Sequence, residues 1–196
     1  MNNILLINAC VRDESRTKKL AMYVAQKLGG ITEEADLKNM ELMPLDKETL
    51  AMRDSAAASG DYSDDYFRYA KQLASADIII VAAPYWDFSF PSSLKVYTEN
   101  VSVSGLTFRY TEDGIPEGLC HAKQWFYVTT AGGFIGENNF GYDYINALFT
   151  GLFEMDEGIF IKAEGLDIIG ADIQGIMKDA MNKTDTIFEG LLNKES

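Results

Sequence analysis

Short apolar runs alternate along the chain with longer segments in which apolar residues return every third or fourth position. Ile4 to Ile7 is wholly apolar between polar neighbours, the pattern of a central strand covered on both faces. Leu20, Val24 and Leu28 then recur at helical spacing with Ala21 and Ala25 beside them, and Gly29-Gly30 supplies the stop. ITEEADLK (31–38) has a mixed pattern that predicts an edge strand. DKETLAMRDSAAASGD (46–61) is small and polar without a clear period, and is expected to be a mobile loop with at most one short helical turn. Tyr66, Tyr69, Ala70 and Leu73 mark a second helix, and DIIIVAAP (77–84) is the most strongly apolar strand, ended by Pro84.

The alternation continues to the end. PSSLKVYTENVS (91–102) restarts as a helix with Pro91 near its first turn, where the missing backbone donor does no harm. KQWFYVTT (123–130) is a strand, AGGFIGENNFG (131–141) a glycine-rich loop, YDYINALFTGLF (142–153) a helix and GIFIKAEG (158–165) a strand. Ile173, Ile176, Met177, Ala180, Ile187 and Leu191 carry a closing helix. Buried strands alternating with amphipathic helices imply an α/β fold with a parallel sheet and right-handed crossovers. Five strands point to a flavodoxin-like three-layer sandwich, a doubly wound sheet of order 2-1-3-4-5 with helices on both faces. At 196 residues, one domain over positions 1–196 is expected.

Composition narrows the function. A formal net charge of -13 would repel nucleic acid and anionic membrane surfaces, so neither is expected as a partner. Cys10 and Cys120 lie far apart, with the lone His121 and no metal-ligand spacing, so neither a disulfide framework nor a metal site is expected. His121 reads as a surface histidine rather than a base. The opening apolar run is too short for a signal-peptide core or a membrane span, and a soluble cytoplasmic protein is expected.

In a sheet of this order, ligands bind beyond the carboxyl ends of the strands where the strand order reverses. Three unusual loops fall there. NACVRDESRTKKL (8–20) puts the Ser15 and Thr17 hydroxyls at a helix N-terminus, where free backbone donors favour an anion. Around them, Arg12, Arg16, Lys18 and Lys19 outnumber Asp13 and Glu14 by two. A phosphate would suit this loop, although a plain helix cap with a solvated basic face explains the same residues. VAAPYWDFSFPSSLK (81–95) makes an apolar platform of Tyr85, Trp86 and Phe88 for a planar ring, with Phe88 and Phe90 also able to pack under the next helix. TTAGGF (129–134) lets the main chain approach a ligand closely, or simply turns.

These residues together resemble the FMN-dependent NADH-azoreductases and NAD(P)H quinone reductases of the flavodoxin-like superfamily. AAPYWDFSFPSSLKVYTENV resembles that family's third-strand loop and following helix, GLTFRYTEDGIPEGL its next segment, TTAGGF its Ser-Arg-Gly-Gly loop and KAEGL its final strand end. The resemblance implies an FMN whose phosphate lies on Ser15 and Thr17 with Arg12 as an extra contact. It implies that Pro84, Tyr85, Trp86, Asp87 and Phe88 wrap the isoalloxazine, and that Thr130, Gly132 and Gly133 complete the cradle. Phe108 resembles an aromatic that reaches over the substrate pocket of a partner subunit, with Trp86 lining that pocket, which implies a homodimer. NADH or NADPH would be the donor and a quinone or azo compound the acceptor. Asn8 and Ala9 stand where relatives often have serine, Ala131 replaces an arginine and Asp87 the commoner asparagine. No side-chain catalytic constellation is present, consistent with chemistry carried by a flavin. A flavodoxin-type FMN electron carrier with protein partners and a cofactor-free module of the same fold remain alternatives.

Overall fold

The computed structural model describes residues 1–193, so the last three positions of the expected domain lie outside it. Strands β1 (Asn3–Asn8), β2 (Ile31–Asp36) and β3 (Ile78–Ala82) join two further strands, β6 (Gln124–Thr130) and β7 (Ile159–Ala163), in one five-stranded sheet. The order is β2-β1-β3-β6-β7 and every pairing is parallel, which is the expected 2-1-3-4-5 arrangement. As the mixed pattern predicts, β2 forms an edge and is mostly exposed.

The period of two along each strand divides the core into two halves. Leu5, Ile7, Ile79, Val81, Trp125 and Tyr127 point to one face, where α3 (Arg68–Ser75), α4 (Ser92–Val101) and α5 (Phe140–Gly151) cover them. Ile4, Leu6, Ile78, Ile80, Phe126 and Val128 point to the other, under α1 (Arg16–Leu28) and α6 (Ile173–Leu192). No described helix is long and apolar enough to cross a membrane.

Two segments depart from the pattern-based reading. Residues 46–61 are not a mobile loop: α2 runs over Lys47–Ser59. Ala56 is its one fully buried residue, so there was no apolar stripe to detect. Good helix formers (Leu50, Met52 and four alanines) sit between two strong ends instead. The Asp46 carboxylate accepts from the Thr49 amide at 2.8 Å and from its hydroxyl at 2.6 Å. Gly60, left-handed at φ 70, donates to the Ala56 carbonyl at 2.8 Å. The second departure is a hairpin of β4 (Phe108–Tyr110) and β5 (Pro116–Gly118), outside the main sheet. Its three-residue strands are too short to register as a period.

Candidate functional site

The loops after β1, β3, β6 and β7 meet at the carboxyl edge of the sheet and enclose a cleft of about 190 Å³. Of the residues singled out from the sequence, Arg12, Ser15, Thr17, Pro84, Tyr85, Trp86, Thr130 and Gly132 line it together. Asp87, Phe88, Gly133 and Phe108 do not.

At one end are hydrogen-bond donors. Ser15 caps α1, its Oγ accepting from the Lys18 amide at 3.2 Å, with the Cys10 thiol beside it. The Thr17 and Thr130 hydroxyls stand 2.6 Å apart, so one proton joins them and the other can point into the cleft. Most charges of this loop are paired. Lys18 pairs with Glu34 at 2.6 Å, Lys19 with Glu14 at 2.8 Å and Lys38 with Asp13 at 2.5 Å. The Lys19 and Lys38 ammonium groups hold the Glu14 and Asp13 carboxyls below their ordinary range. Burial works to raise the Glu34 carboxyl, but Lys18 and the Asn8 amide outweigh it and the net direction is down. Arg12 keeps no ion-pair partner among the described residues. Asn8 is buried and serves the loop itself: its amide donates to Glu34 at 2.7 Å and its carbonyl accepts from the Cys10 amide at 3.0 Å.

At the other end is an aromatic wall. After β3, Tyr85 is fixed by its amide on the Thr130 carbonyl (3.0 Å) and its hydroxyl on the Asn138 carbonyl (2.8 Å). Trp86 and Ser89 then exchange backbone hydrogen bonds of 3.0 and 2.7 Å, closing a two-residue turn. Its central residues, Asp87 (φ 50) and Phe88 (φ 65), both sit at positive φ, the demand of a primed hairpin turn that normally selects Asn-Gly. The amides of Asp87 and Phe88 donate to nothing among the described residues. Phe88 is 59% exposed, so it is not shared with the core, whereas Phe90 is half-buried against Tyr144, ring centroids 5.7 Å apart.

The glycine loop after β6 is shaped by β7. Leu166, Asp167 and Gly165 donate to the carbonyls of Ala131, Gly132 and Gly133 at 3.2, 2.9 and 2.8 Å, and the Glu164 carboxylate takes the Ile135 amide at 2.9 Å. A Cβ on Gly132 would lie 2.4 Å from the Asp167 carboxylate, so glycine lets that side chain lie over the loop. Cys10, Arg16, Leu166 and Asp167 line the cleft without having been singled out as contacts. Basic character near Ser15 was the available signal for Arg16, but the pairing of Arg16 with Asp167, 151 residues away, has no sequence signature. Phe108, expected to reach over a partner's pocket, is only 8% exposed and packs in the core of its own chain edge-on to Tyr110 at 5.5 Å. Tyr110 lies on the same face of β4, at its outer end, and is 58% exposed. His121 lies at the surface against Asp77, 3.0 Å away.

A cleft at the strand-order reversal, with anion donors facing an aromatic wall, defines a ligand-binding protein of the flavodoxin-like class, and comparison with known proteins gives the same class. A family model described as flavodoxin-like fold, Flavodoxin_2, matches residues 2–186. An FMN-dependent NADH:quinone oxidoreductase 2 of Clostridium acetobutylicum is 33% identical, the alignment covering 93% of this chain and 96% of that one. One from Lachnoclostridium phytofermentans is 29% identical over the whole of both chains. Among solved structures, an FMN-dependent NADH-azoreductase of Bacillus anthracis in complex with FMN superposes with a TM-score of 0.79 at 20% identity, covering 97% of this chain and 99% of that one. The chain belongs to the FMN-dependent NADH:quinone oxidoreductase family of flavodoxin-like proteins, and is an oxidoreductase.

Proposed function

We propose that this oxidoreductase binds FMN in the cleft, takes electrons from NADH and passes them to a quinone or azo compound in a ping-pong cycle. The carrying observation is the pairing, in one cleft, of an anion-binding end with an aromatic end. That donor set suits a molecule with a phosphate at one end and a flat ring at the other. Bound FMN would supply hydride acceptance and release at N5, so no side chain is needed for covalent chemistry.

The residues of this chain bind, orient and shield. The Ser15, Thr17 and Thr130 hydroxyls, the amides opening α1 and the Arg12 guanidinium would hold the phosphate. Pro84, Tyr85 and Trp86 would flank the ring, and the amides of Asp87 and Phe88, in the turn that follows, would be available to its polar edge. Thr130 and Gly132, with Gly133 next in the loop, would complete the cradle, and the Asp87 carboxylate in the turn after Trp86 would oppose added negative charge on the ring. An open apolar face takes the nicotinamide and then the acceptor in turn, so rate comes from proximity and orientation. Exposed Trp86, Phe88, Tyr110, Ile115 and Phe140 form apolar surface that a second copy would cover, which supports a homodimer. The excess of acidic residues speaks against a nucleic-acid partner.

The test is the visible spectrum of protein loaded with FMN, before and after anaerobic NADH. Binding should perturb the flavin bands and NADH should bleach them within seconds, with quinone restoring the colour. Failure to take up FMN, or indifference of the bound flavin to NADH, would refute the reading.

A further inference from the structure

Arg16 opens α1, immediately after the capping Ser15, and its guanidinium does not point away from the cleft. Nη1 and Nη2 both lie 3.1 Å from a single oxygen of Asp167, and Nη1 also reaches the Leu166 carbonyl at 3.3 Å. Asp167 is held by its own amide on the Gly132 carbonyl at 2.9 Å, and its second carboxylate oxygen hangs over Gly132. A carboxylate therefore stands among the groups best suited to an anion: the start of α1, the Ser15 hydroxyl, the Thr17 and Thr130 hydroxyls and Arg12. Evolutionary or not in origin, this arrangement is electrostatically odd if the cleft takes a phosphate, because two anions a few ångströms apart repel each other.

The oddity resolves if the two anions alternate. We propose that Asp167 is an internal counterion that occupies Arg16 in the empty cleft, and that the phosphate of the cofactor displaces it, making Arg16 a phosphate-recognition residue and Asp167 the residue that sets its threshold. This rests on the reading of the cleft as an FMN site. A phosphate monoester carries nearly twice the charge of a carboxylate and offers Arg16 a two-pronged contact, whereas Asp167 gives it one oxygen. Release is easy on the other side. The Asp167 side chain is 67% exposed against 34% for Arg16, so it can turn into water, and ion pairs with this exposure hold weakly. The backbone bond from Asp167 to Gly132 does not involve the carboxylate, so the glycine loop keeps its shape while the side chain moves.

Two flavins that differ only by the phosphate, FMN and riboflavin, separate this role from a structural one. Dissociation constants are measured by flavin fluorescence on the full-length apoprotein, with melting curves to confirm that each variant folds. Asp167→Asn should tighten FMN by about 3- to 10-fold, the size of an exposed charge effect near one site, and leave riboflavin unchanged. Arg16→Gln should weaken FMN by roughly tenfold or more, as expected for a lost charge-assisted contact, again without moving riboflavin. Asp167→Ala, which removes any residual hold on Arg16, should reproduce the tighter FMN binding. Inorganic phosphate should raise the melting temperature of Asp167→Asn more than that of the unaltered apoprotein. Weaker FMN binding by both Asp167 variants, or parallel changes for the two flavins, would make the pair a structural strap and overturn the proposal. Unaltered protein that binds both flavins equally would overturn it while leaving a flavin site in place. Protein that binds neither would overturn the FMN reading as well.

Discussion

The strained turn at Asp87 and Phe88 is the clearest single-residue departure from local preference. A phenylalanine at φ 65 carries the left-handed penalty of about 1–2 kcal/mol, and its exposed ring recovers little of that by packing. Such strain, beside two amides that donate to nothing among the described residues, points from structure to use. The usual rank of alanine above glycine should therefore invert at this position. Phe88→Gly is expected to be more stable than Phe88→Ala by about 1 kcal/mol, roughly 2–4 °C in Tm for a chain of this size. Thermal melts of the two apoprotein variants decide it; alanine melting at or above glycine would mean that the turn relaxes when the ring is gone. Both should bind FMN less well than the parent if the ring flanks the flavin. This turn was half legible in the sequence. The crowding of rings after an apolar strand could be read, but which rings face the cleft depends on the turn type, and Asp-Phe is a poor advertisement for a primed turn.

At the scale of elements, legibility followed burial. The five sheet strands and the helices that cover them announce themselves because each must hide one face or both, and that requirement writes a period into the sequence. The loops around Ser15, Tyr85 and Gly132 followed once the strand order was known, since topology assigns them to one edge. What stayed hidden was held by other forces. The Arg109 guanidinium forks onto Glu117 with two 2.8 Å bonds to brace a hairpin too short for a pattern. The Asp167 carboxylate reaches Arg16 only after the whole sheet is assembled. Helix α2 stands on propensity and caps, which makes it unusually dependent on one side chain. Asp46→Ala removes the acceptor of both Thr49 bonds and should cost about 1 kcal/mol. A buried helix would stay folded at that cost, but α2 has little packing to fall back on. Its amides should lose hydrogen-exchange protection selectively, with α5 and the sheet unchanged. Uniform loss across the molecule, or none at all in α2, would contradict this account.

For the molecule as a whole, the ionisable groups define a plateau of stability with unequal sides. Burial pushes the Cys120 thiol up to about 12 and raises Cys10, Tyr97 and Tyr127 as well. Each is neutral when protonated, so the native state keeps protons that the unfolded chain releases, and stability falls as pH rises. The loss begins near the ordinary thiol range, about pH 8.5–9, and continues towards 12 for Cys120. On the acid side the signs reverse. Asp13, Glu14, Asp46, Glu117 and Asp185 are held low, chiefly by hydrogen bonds from Lys38, Lys19, Thr49, Arg109 and Lys27. Their contribution is present above their unfolded range, near pH 4, and is lost as pH drops through the lower folded values. Net charge tilts the two sides. At -13 the folded chain already repels itself; acid relieves that repulsion and alkali adds to it. Melting temperatures followed from pH 2 to 11 should therefore be flat between about 5 and 8.5 and fall more steeply on the alkaline side than on the acid side. Cys120→Ala should start from a lower plateau, because a buried side chain has been truncated, yet decline less between pH 9 and 11. An alkaline limb of equal slope in that variant would show that Cys120 releases its proton no later in the folded chain than in the unfolded one, and its buried position would then have to be reconsidered.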